Sequence, residues 1–176
     1  MSELRTNRIV PRDGLPSGTF GGIIQVVQTV KQTAQEITAA GGEQDVMTAT
    51  INLKHASSKV MVTYSLGVGR GADDYGYIKL FEGGSEVTAA HSNAATSPSI
   101  NALGSISNRG AGNDQYLVSH ISGTFVHTPS STSPTMKIRA ACTYGTHIYI
   151  NRPADGGNVA HNIYTASFLQ LYELAG

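Results

Sequence analysis

KVMVTYSLG, at residues 59–67, is the stretch whose pattern decides the fold class. Successive side chains of an extended strand point to opposite faces, so the stretch separates into two sets. One set is Val60, Val62 and Tyr64, and the other is Met61, Thr63 and Ser65. β-Branched and aromatic residues are enriched in strands, and the first set is the more apolar. The stretch therefore predicts a β-strand with one face in a core.

Segments of the same character recur along the chain. The further predicted strands are 23–31, 46–54, 75–82, 85–90, 115–127, 135–144, 146–151 and 163–173. In the last of them, Leu169 and Leu171 face away from Gln170 and Tyr172. Residues 32–45 are the one helix-compatible stretch, and they are too short and weak to change the all-β prediction.

Clusters of Gly, Pro, Asn, Asp and Ser between these segments predict loops. The predicted loops are GVGRGADDYG (67–76), EGGSE (82–86), SNRGAGNDQ (107–115), TPSSTSPT (128–135) and NRPADGGN (151–158). Gly145, between two strand patterns in TYGTH, predicts a tight hairpin. Residues 91–114 hold few large apolar groups and predict a surface excursion, with a short strand at 100–106.

About nine predicted strands in one chain of this length favour an all-β fold, a two-sheet antiparallel β-sandwich of the jelly-roll type. We expect an extended N-terminal arm at residues 1–22 and a β-sandwich domain at residues 23–176.

The predicted arm, MSELRTNRIVPRDGLPSGTFGG, has no lasting strand or helix period. Pro11 and Pro16 withdraw backbone donors, so the segment resists becoming a strand of its own sheet. Extended at about 3.3 Å per residue, it would reach roughly 70 Å. The planar guanidinium groups of Arg5, Arg8 and Arg12 can pair with carboxylates on another chain. We therefore predict that these residues bind a partner, and a disordered tail is the alternative.

Composition restricts the partners. Twelve basic and twelve acidic residues give a formal net charge of zero, without the basic surplus typical of nucleic-acid binders. No apolar run approaches the ~20 residues that span a bilayer, so no membrane insertion is expected. Cys142 is the single cysteine, which excludes a disulfide within the chain and suggests a buried thiol. A near-neutral surface rich in Ser, Thr and Gly favours association with other protein surfaces.

No pattern indicates catalysis, a cofactor or a metal, and we expect none of them. The glycines at 67, 69 and 71 lead into a predicted strand, whereas a dinucleotide-binding loop opens a helix. The spacing of the loop carboxylates does not match a calcium site, and we predict that they are solvated. These residues are Asp73, Asp74, Asp114 and Asp155. Sugar binding by loop Asp and Asn side chains is a minority alternative. The six histidines lack ligand spacing, and an ion held by histidines at a trimer axis is a further alternative.

Several stretches, taken in order, resemble a family of small structural proteins of tailed phages, especially those infecting cyanobacteria and other aquatic bacteria. The matching stretches are LRTNRIVPRDG, GGIIQVVQTVKQT, SSKVMVTYSLG, YIKLFEGGSEV, TPSSTSPTMKIRA, IYINRP and ASFLQLYEL. The resemblance implies a virion location and trimers of jelly-roll subunits, serving either as capsid decoration (cement) proteins or as heads of tail fibres.

Three roles follow: a capsid cement protein, a tail-fibre head or other tail component, and a virion enzyme. Fibre proteins usually carry a long repetitive stem, whereas here the arm passes directly into the sandwich. We therefore predict a non-enzymatic, homotrimeric cement protein, made in the host cytoplasm and located on the virion, with the major capsid protein as its partner. The alternative is a tail component that binds a tail protein.

Overall fold

The computed structural model describes residues 22–71, 73–93, 100–107, 114–157, 160 and 162–176. These residues form eleven strands and three short 3₁₀ helices. The strands are β1 (Ile23–Lys31), β2 (Gln35–Thr38), β3 (Gln44–Thr50), β4 (Lys59–Arg70), β5 (Tyr75–Glu82), β6 (Ser85–Glu86), β7 (Gly104–Ile106), β8 (Val118–His127), β9 (Thr135–Tyr144), β10 (His147–Ile150) and β11 (Ser167–Leu174). The 3₁₀ helices are Ala39–Gly41, Thr88–Ala90 and Asp114–Tyr116.

The strands form two antiparallel sheets, as predicted. In the first sheet, β8 pairs along one edge of β4, and β11 and β10 follow each other along its other edge. Beyond them, β1 pairs with β11 and β2 pairs with β10. In the second sheet, β9 pairs along one edge of β5, and β6 and β7 share the other. β3 completes this sheet by pairing with β9.

The core lies between the two sheets and is filled by alternate residues of their strands. Val60, Val62 and Tyr64 are 0%, 1% and 3% exposed, which confirms the alternation predicted for this stretch. Leu169 and Leu171 of β11 are fully buried beside them, also as predicted. The second sheet contributes residues such as Ile78, Leu80, Met136 and Ile138, all fully buried.

Two local predictions differ from the structure, and in the first of them pairing with a distant strand overrides local propensity. The helix-compatible stretch 32–45 contains β2, whose Ile37 is buried and pairs with Ile148 of β10. The strand predicted at 85–90 ends after Glu86, and a 3₁₀ turn follows. The short strand predicted at 100–106 is present over its last three residues only, as β7, and its Ile106 is buried.

The predicted loop at 67–76 is wrong over its first half, because β4 continues to Arg70. Gly67 and Gly69 lie inside this strand, and the segment that follows β10 packs closely over them. A Cβ atom on Gly69 would clash with the backbone carbonyl of Arg152, and one on Gly67 would clash with the Thr165 side chain. These glycines therefore allow a neighbouring segment to pack closely against β4, and they do not form a turn.

The hairpin predicted at Gly145 is also wrong. β9 belongs to the second sheet and β10 to the first, so this turn carries the chain across the core. Gly145 has φ 83°, a left-handed conformation that favours glycine. Asp74 holds the turn, since its Oδ1 accepts from the Thr146 amide at 2.7 Å and its Oδ2 from the Gly71 amide at 2.9 Å. Asp74 is 6% exposed, so it is not the solvated loop carboxylate that the sequence suggested.

Candidate interaction surface

Among the described residues, the outer surface of the first sheet carries no charged side chain where β1, β11, β4 and β8 lie side by side. We call this surface the uncharged face. Its residues are Ile24, Val26, Gln28 and Val30 of β1, Phe168, Gln170 and Tyr172 of β11, Met61, Thr63 and Ser65 of β4, and Ser122, Thr124 and Val126 of β8. Ionisable groups begin at its margins, with Lys59 two residues before Met61 and His120 two residues before Ser122.

The strand register arranges the uncharged face in rows that cross all four strands. The first row is apolar and consists of Val26, Tyr172, Met61 and Val126. The second row is polar and consists of Gln28, Gln170, Thr63 and Thr124. Val26 and Val30 are 50% and 48% exposed, which is high for valines within a strand. Apolar surface of this kind commonly marks an interaction site.

Five polar side chains of the uncharged face bond to one another along the surface, while Ser65 Oγ lies 2.9 Å from Nδ1 of His120 at the margin. Gln170 Nε2 donates to Gln28 Oε1 at 2.8 Å, and the Tyr172 hydroxyl donates to Gln170 Oε1 at 2.9 Å. The Thr63 and Thr124 hydroxyls lie 3.3 Å apart. Because these groups already have partners, covering them with another protein surface leaves fewer unsatisfied donors and acceptors.

The outer surface of the second sheet has the opposite character, and we call it the ion-paired face. Asp45 lies 2.6 Å from both Lys137 Nζ and Arg139 Nε, and the hydrogen bond from Lys137 lowers the pKa of its carboxyl. Lys79 Nζ lies 3.1 Å from Glu43 and 3.0 Å from Glu86. The ion-paired face thus differs sharply in charge from the uncharged face.

The far end of the first sheet, at β2 and β10, is charged. Glu36 accepts from Arg152 Nη2 at 3.2 Å and lies 3.0 Å from His147 Nε2. The segment after β10, packed on Gly67 and Gly69, separates this group from the uncharged face. Ile163 and Tyr164 of that segment are 67% and 54% exposed and precede the Thr165 side chain that lies on Gly67.

A buried carboxylate anchors β11 beneath the uncharged face. Glu173 is fully buried, and its Oε1 accepts from the Lys54 amide at 2.8 Å, the His55 amide at 3.1 Å and the Ser58 hydroxyl at 2.7 Å. Its Oε2 accepts from Gln25 Nε2 at 2.6 Å. Burial by itself raises the pKa of Glu173, but these hydrogen bonds outweigh it and hold the pKa below its ordinary value.

Two of the clefts on the described surface lie away from the centre of the uncharged face. One, of about 500 Å³, is lined by Glu86, Thr88, Ala89, His91, Ser92, Asn93 and Asn101. Its ionisable groups are engaged, since His91 Nε2 accepts from the Leu80 amide at 2.9 Å and His91 Nδ1 lies 2.8 Å from Glu86. The other, of about 450 Å³, is lined by Gly22, Ile23, Ile24, His55, Ser57, Ala175 and Gly176.

The predicted partner-binding residues Arg5, Arg8, Pro11, Arg12 and Pro16 lie outside the described residues, and their role stays a prediction. Cys142 is a buried free thiol, as predicted, and burial raises its pKa. Within the described ranges, no group of three or more His, Cys, Asp or Glu side chains is arranged to hold a metal ion. No helix in the described part of the chain is long and apolar enough to cross a bilayer.

Sequence reasoning did not identify the uncharged face as a site. The available signal was the set of Met61, Thr63 and Ser65, which it placed opposite the core without weighing their lack of charge. The exposed positions of β1, Val26 and Val30, carried the same signal.

Comparisons with known proteins identify no family. No family model matches the chain, and no curated protein matches it. Among solved structures, the chain is similar to one described as "Bacillus endospore appendages form a novel family of disulfide-linked pili". The two share 16% sequence identity, the match covers 92% of this chain and 96% of that chain, and the TM-score is 0.30. A score this low supports no statement about function.

Proposed function

We propose that this protein is a structural protein of a tailed-phage virion, a trimeric capsid decoration (cement) protein that acts by contact and not by catalysis. The phage assignment rests on the sequence stretches quoted above. The structural observation that supports a contact role is the uncharged face, which exposes valines and self-paired polar groups over four adjacent strands. A surface of this kind is suited to being covered by protein rather than to turning over a substrate.

A cement protein stabilises a shell because it binds the assembled state and not the loose subunits. In this proposal the arm supplies the contact with the major capsid protein. Arg5, Arg8 and Arg12 form charge-assisted pairs with carboxylates of the shell, and Pro11 and Pro16 keep the segment extended. The arm joins the sandwich at Gly22, which lines the cleft of about 450 Å³.

We further infer that the sandwich is a jelly roll. The nesting of its antiparallel pairs supports this: β1 pairs with β11, β3 with β9, β4 with β8, and β5 with β6 and β7. Apart from the pair of β2 with β10, which adds a second pair to the first sheet, successive pairs in this series alternate between the first and the second sheet. A chain folded into such nested pairs and wrapped into two layers has the jelly-roll arrangement.

The copy number of the protein in purified virions, measured by quantitative mass spectrometry against the major capsid protein, tests the proposed function. Hundreds of copies per particle are expected for shell decoration. A few dozen or fewer would instead place the protein in the tail, as a fibre head or adaptor. Absence from purified particles would overturn the virion assignment altogether.

A further inference from the structure

We propose that the uncharged face is the surface through which copies of this chain contact one another. The inference rests on the proposed function, since it names the interface of the trimer, and it assigns this face to self-association rather than to the capsid or a host receptor.

The lack of charge favours a second copy of the chain as the occupant. In a closed symmetric assembly, residues near the axis meet their own copies, so a charge there would face a like charge. Contacts between different proteins, in contrast, commonly use opposite charges. The uncharged face offers none, although the outer surface of the other sheet carries Asp45, Lys79, Lys137 and Arg139.

The polar chemistry of the face allows one part of it on one copy to bond to a different part on the next copy, as the heterologous interfaces of a trimer require. Gln28, Gln170, Thr63 and Thr124 each carry both donors and acceptors, so each can bond to the same kind of group on another copy. Their bonds along the surface fix these side chains in place before any contact forms. Ordered side chains lose less conformational entropy on association, which favours binding.

The size of the face is consistent with a stable interface. Four strands at ~4.8 Å spacing and seven residues of β1 at ~3.3 Å each give a footprint of about 20 Å by 20 Å. A standard-size interface takes roughly 800 Å² of accessible surface from each partner, and protruding side chains have more accessible area than their ~400 Å² footprint. The exposed Ile163 and Tyr164, in the segment packed over Gly67, extend the apolar area beyond the end of the face.

Two matched substitutions test the proposal. Thr124 lies on edge strand β8 of the uncharged face, and Thr48 lies on edge strand β3 of the ion-paired face, and both are exposed. Thr124→Glu brings one like charge per copy into the proposed interface, whereas Thr48→Glu adds the same charge opposite Lys137. Sedimentation velocity and light scattering of the full chain, over a range of concentrations, report the assembly state, and circular dichroism reports folding.

We expect the wild-type chain and Thr48→Glu to assemble, and the apparent dissociation constant of Thr124→Glu to rise at least about 100-fold. If Thr124→Glu does not fold, Ser122→Glu on the same edge strand replaces it. A folded Thr124→Glu or Ser122→Glu chain that assembles like the wild type overturns the assignment of this face and leaves the trimer standing. A wild-type chain that stays monomeric at every concentration overturns both the self-contact and the trimer, while the virion copy number decides the proposed location separately.

Discussion

Glu173 is the side chain on which the stability of β11 depends most directly. It is fully buried and accepts four hydrogen bonds, from Lys54, His55, Ser58 and Gln25. Removing the carboxylate would leave several buried donors without an acceptor, at roughly 1–3 kcal/mol for each unsatisfied group. We expect Glu173→Ala to lower the free energy of unfolding by about 3 kcal/mol or more, as measured by urea denaturation.

Glu173→Gln is the matched control, because it keeps the shape and one acceptor oxygen. We expect this substitution to cost about 1–2 kcal/mol, since the new amide nitrogen faces the Gln25 donor. An alanine variant within about 0.5 kcal/mol of the wild type, below the usual effect of losing a buried acceptor, would contradict this role for Glu173.

The same carboxylate predicts a pH dependence with a definite sign. Its pKa is lower in the folded chain than the ~4.3 of an unfolded Glu, so its contribution to stability is fully present above that value. The contribution is lost as the pH falls through the folded pKa. We expect the free energy of unfolding to decrease on acidification below about pH 5, as followed by urea titrations at a series of pH values.

Other carboxyls also have a lowered pKa in the folded chain and lose stability on acidification, so the effect of Glu173 has to be separated from theirs. Hydrogen bonds from His127 and Ser130 hold the pKa of Glu82 low against the opposing effect of burial. The hydrogen bond from Lys137 likewise lowers the pKa of Asp45. Glu173→Gln should therefore reduce the slope of stability against pH without abolishing it. An unchanged slope in Glu173→Gln would show that Glu173 does not contribute to the pH dependence of stability.

At the scale of the elements, β4 depends on glycine where another segment crosses it. A methyl group on Gly69 would meet the backbone of Arg152 and Pro153, and backbone cannot rotate away as a side chain can. We expect Gly69→Ala to destabilise the fold by about 1–3 kcal/mol, the usual cost of overpacking. Gly84→Ala is the control, because nothing lies within 4 Å of its Cβ position. Equal unfolding midpoints for the two variants would refute the close-approach role.

The strands that were predictable from sequence are those with a long alternating pattern. β1, β5 and β9 match their predicted bounds, because one half-buried face imposes a period of two on the residues. β2 was not predictable, since its residues Gln35–Thr38 extend only to pair with β10, far along the chain. The turn at Gly145 was misassigned because local sequence does not reveal that its flanking strands belong to different sheets.

At the scale of the whole molecule, the distribution of charge was hidden from the sequence. The composition shows an even balance of acids and bases, but it does not show that the ion pairs lie on the outer surface of the second sheet and at the β2 and β10 end of the first, away from the uncharged face. Met61 and Thr63 were assigned correctly to the side opposite the core. Their alignment with β1, β11 and β8 depends on strand order, which arises from pairing between distant segments.

Deletion of the arm tests whether the arm binds the virion while the sandwich domain carries out self-association. The described strands begin at Ile23, so removal of residues 1–20 removes none of them. We expect a folded chain with unchanged self-assembly that no longer joins virions, as measured by co-sedimentation with particles lacking the protein. A full-length chain with Arg5, Arg8 and Arg12 replaced by glutamine separates the effect of charge from that of length. A deleted chain that binds particles normally would refute the role of the arm.

The pairing of the first strand with the last also affects synthesis. β1 meets its partner only when β11 has been made, as the pair Val30 and Phe168 shows. At about 5–20 residues per second, translation leaves β1 without that neighbour for on the order of ten seconds. During this time its isoleucines and valines form an unpaired, apolar edge next to the ribosome, where nascent chains on the same message lie close together. The yield of folded protein on expression should therefore depend on chaperone supply and on temperature during translation.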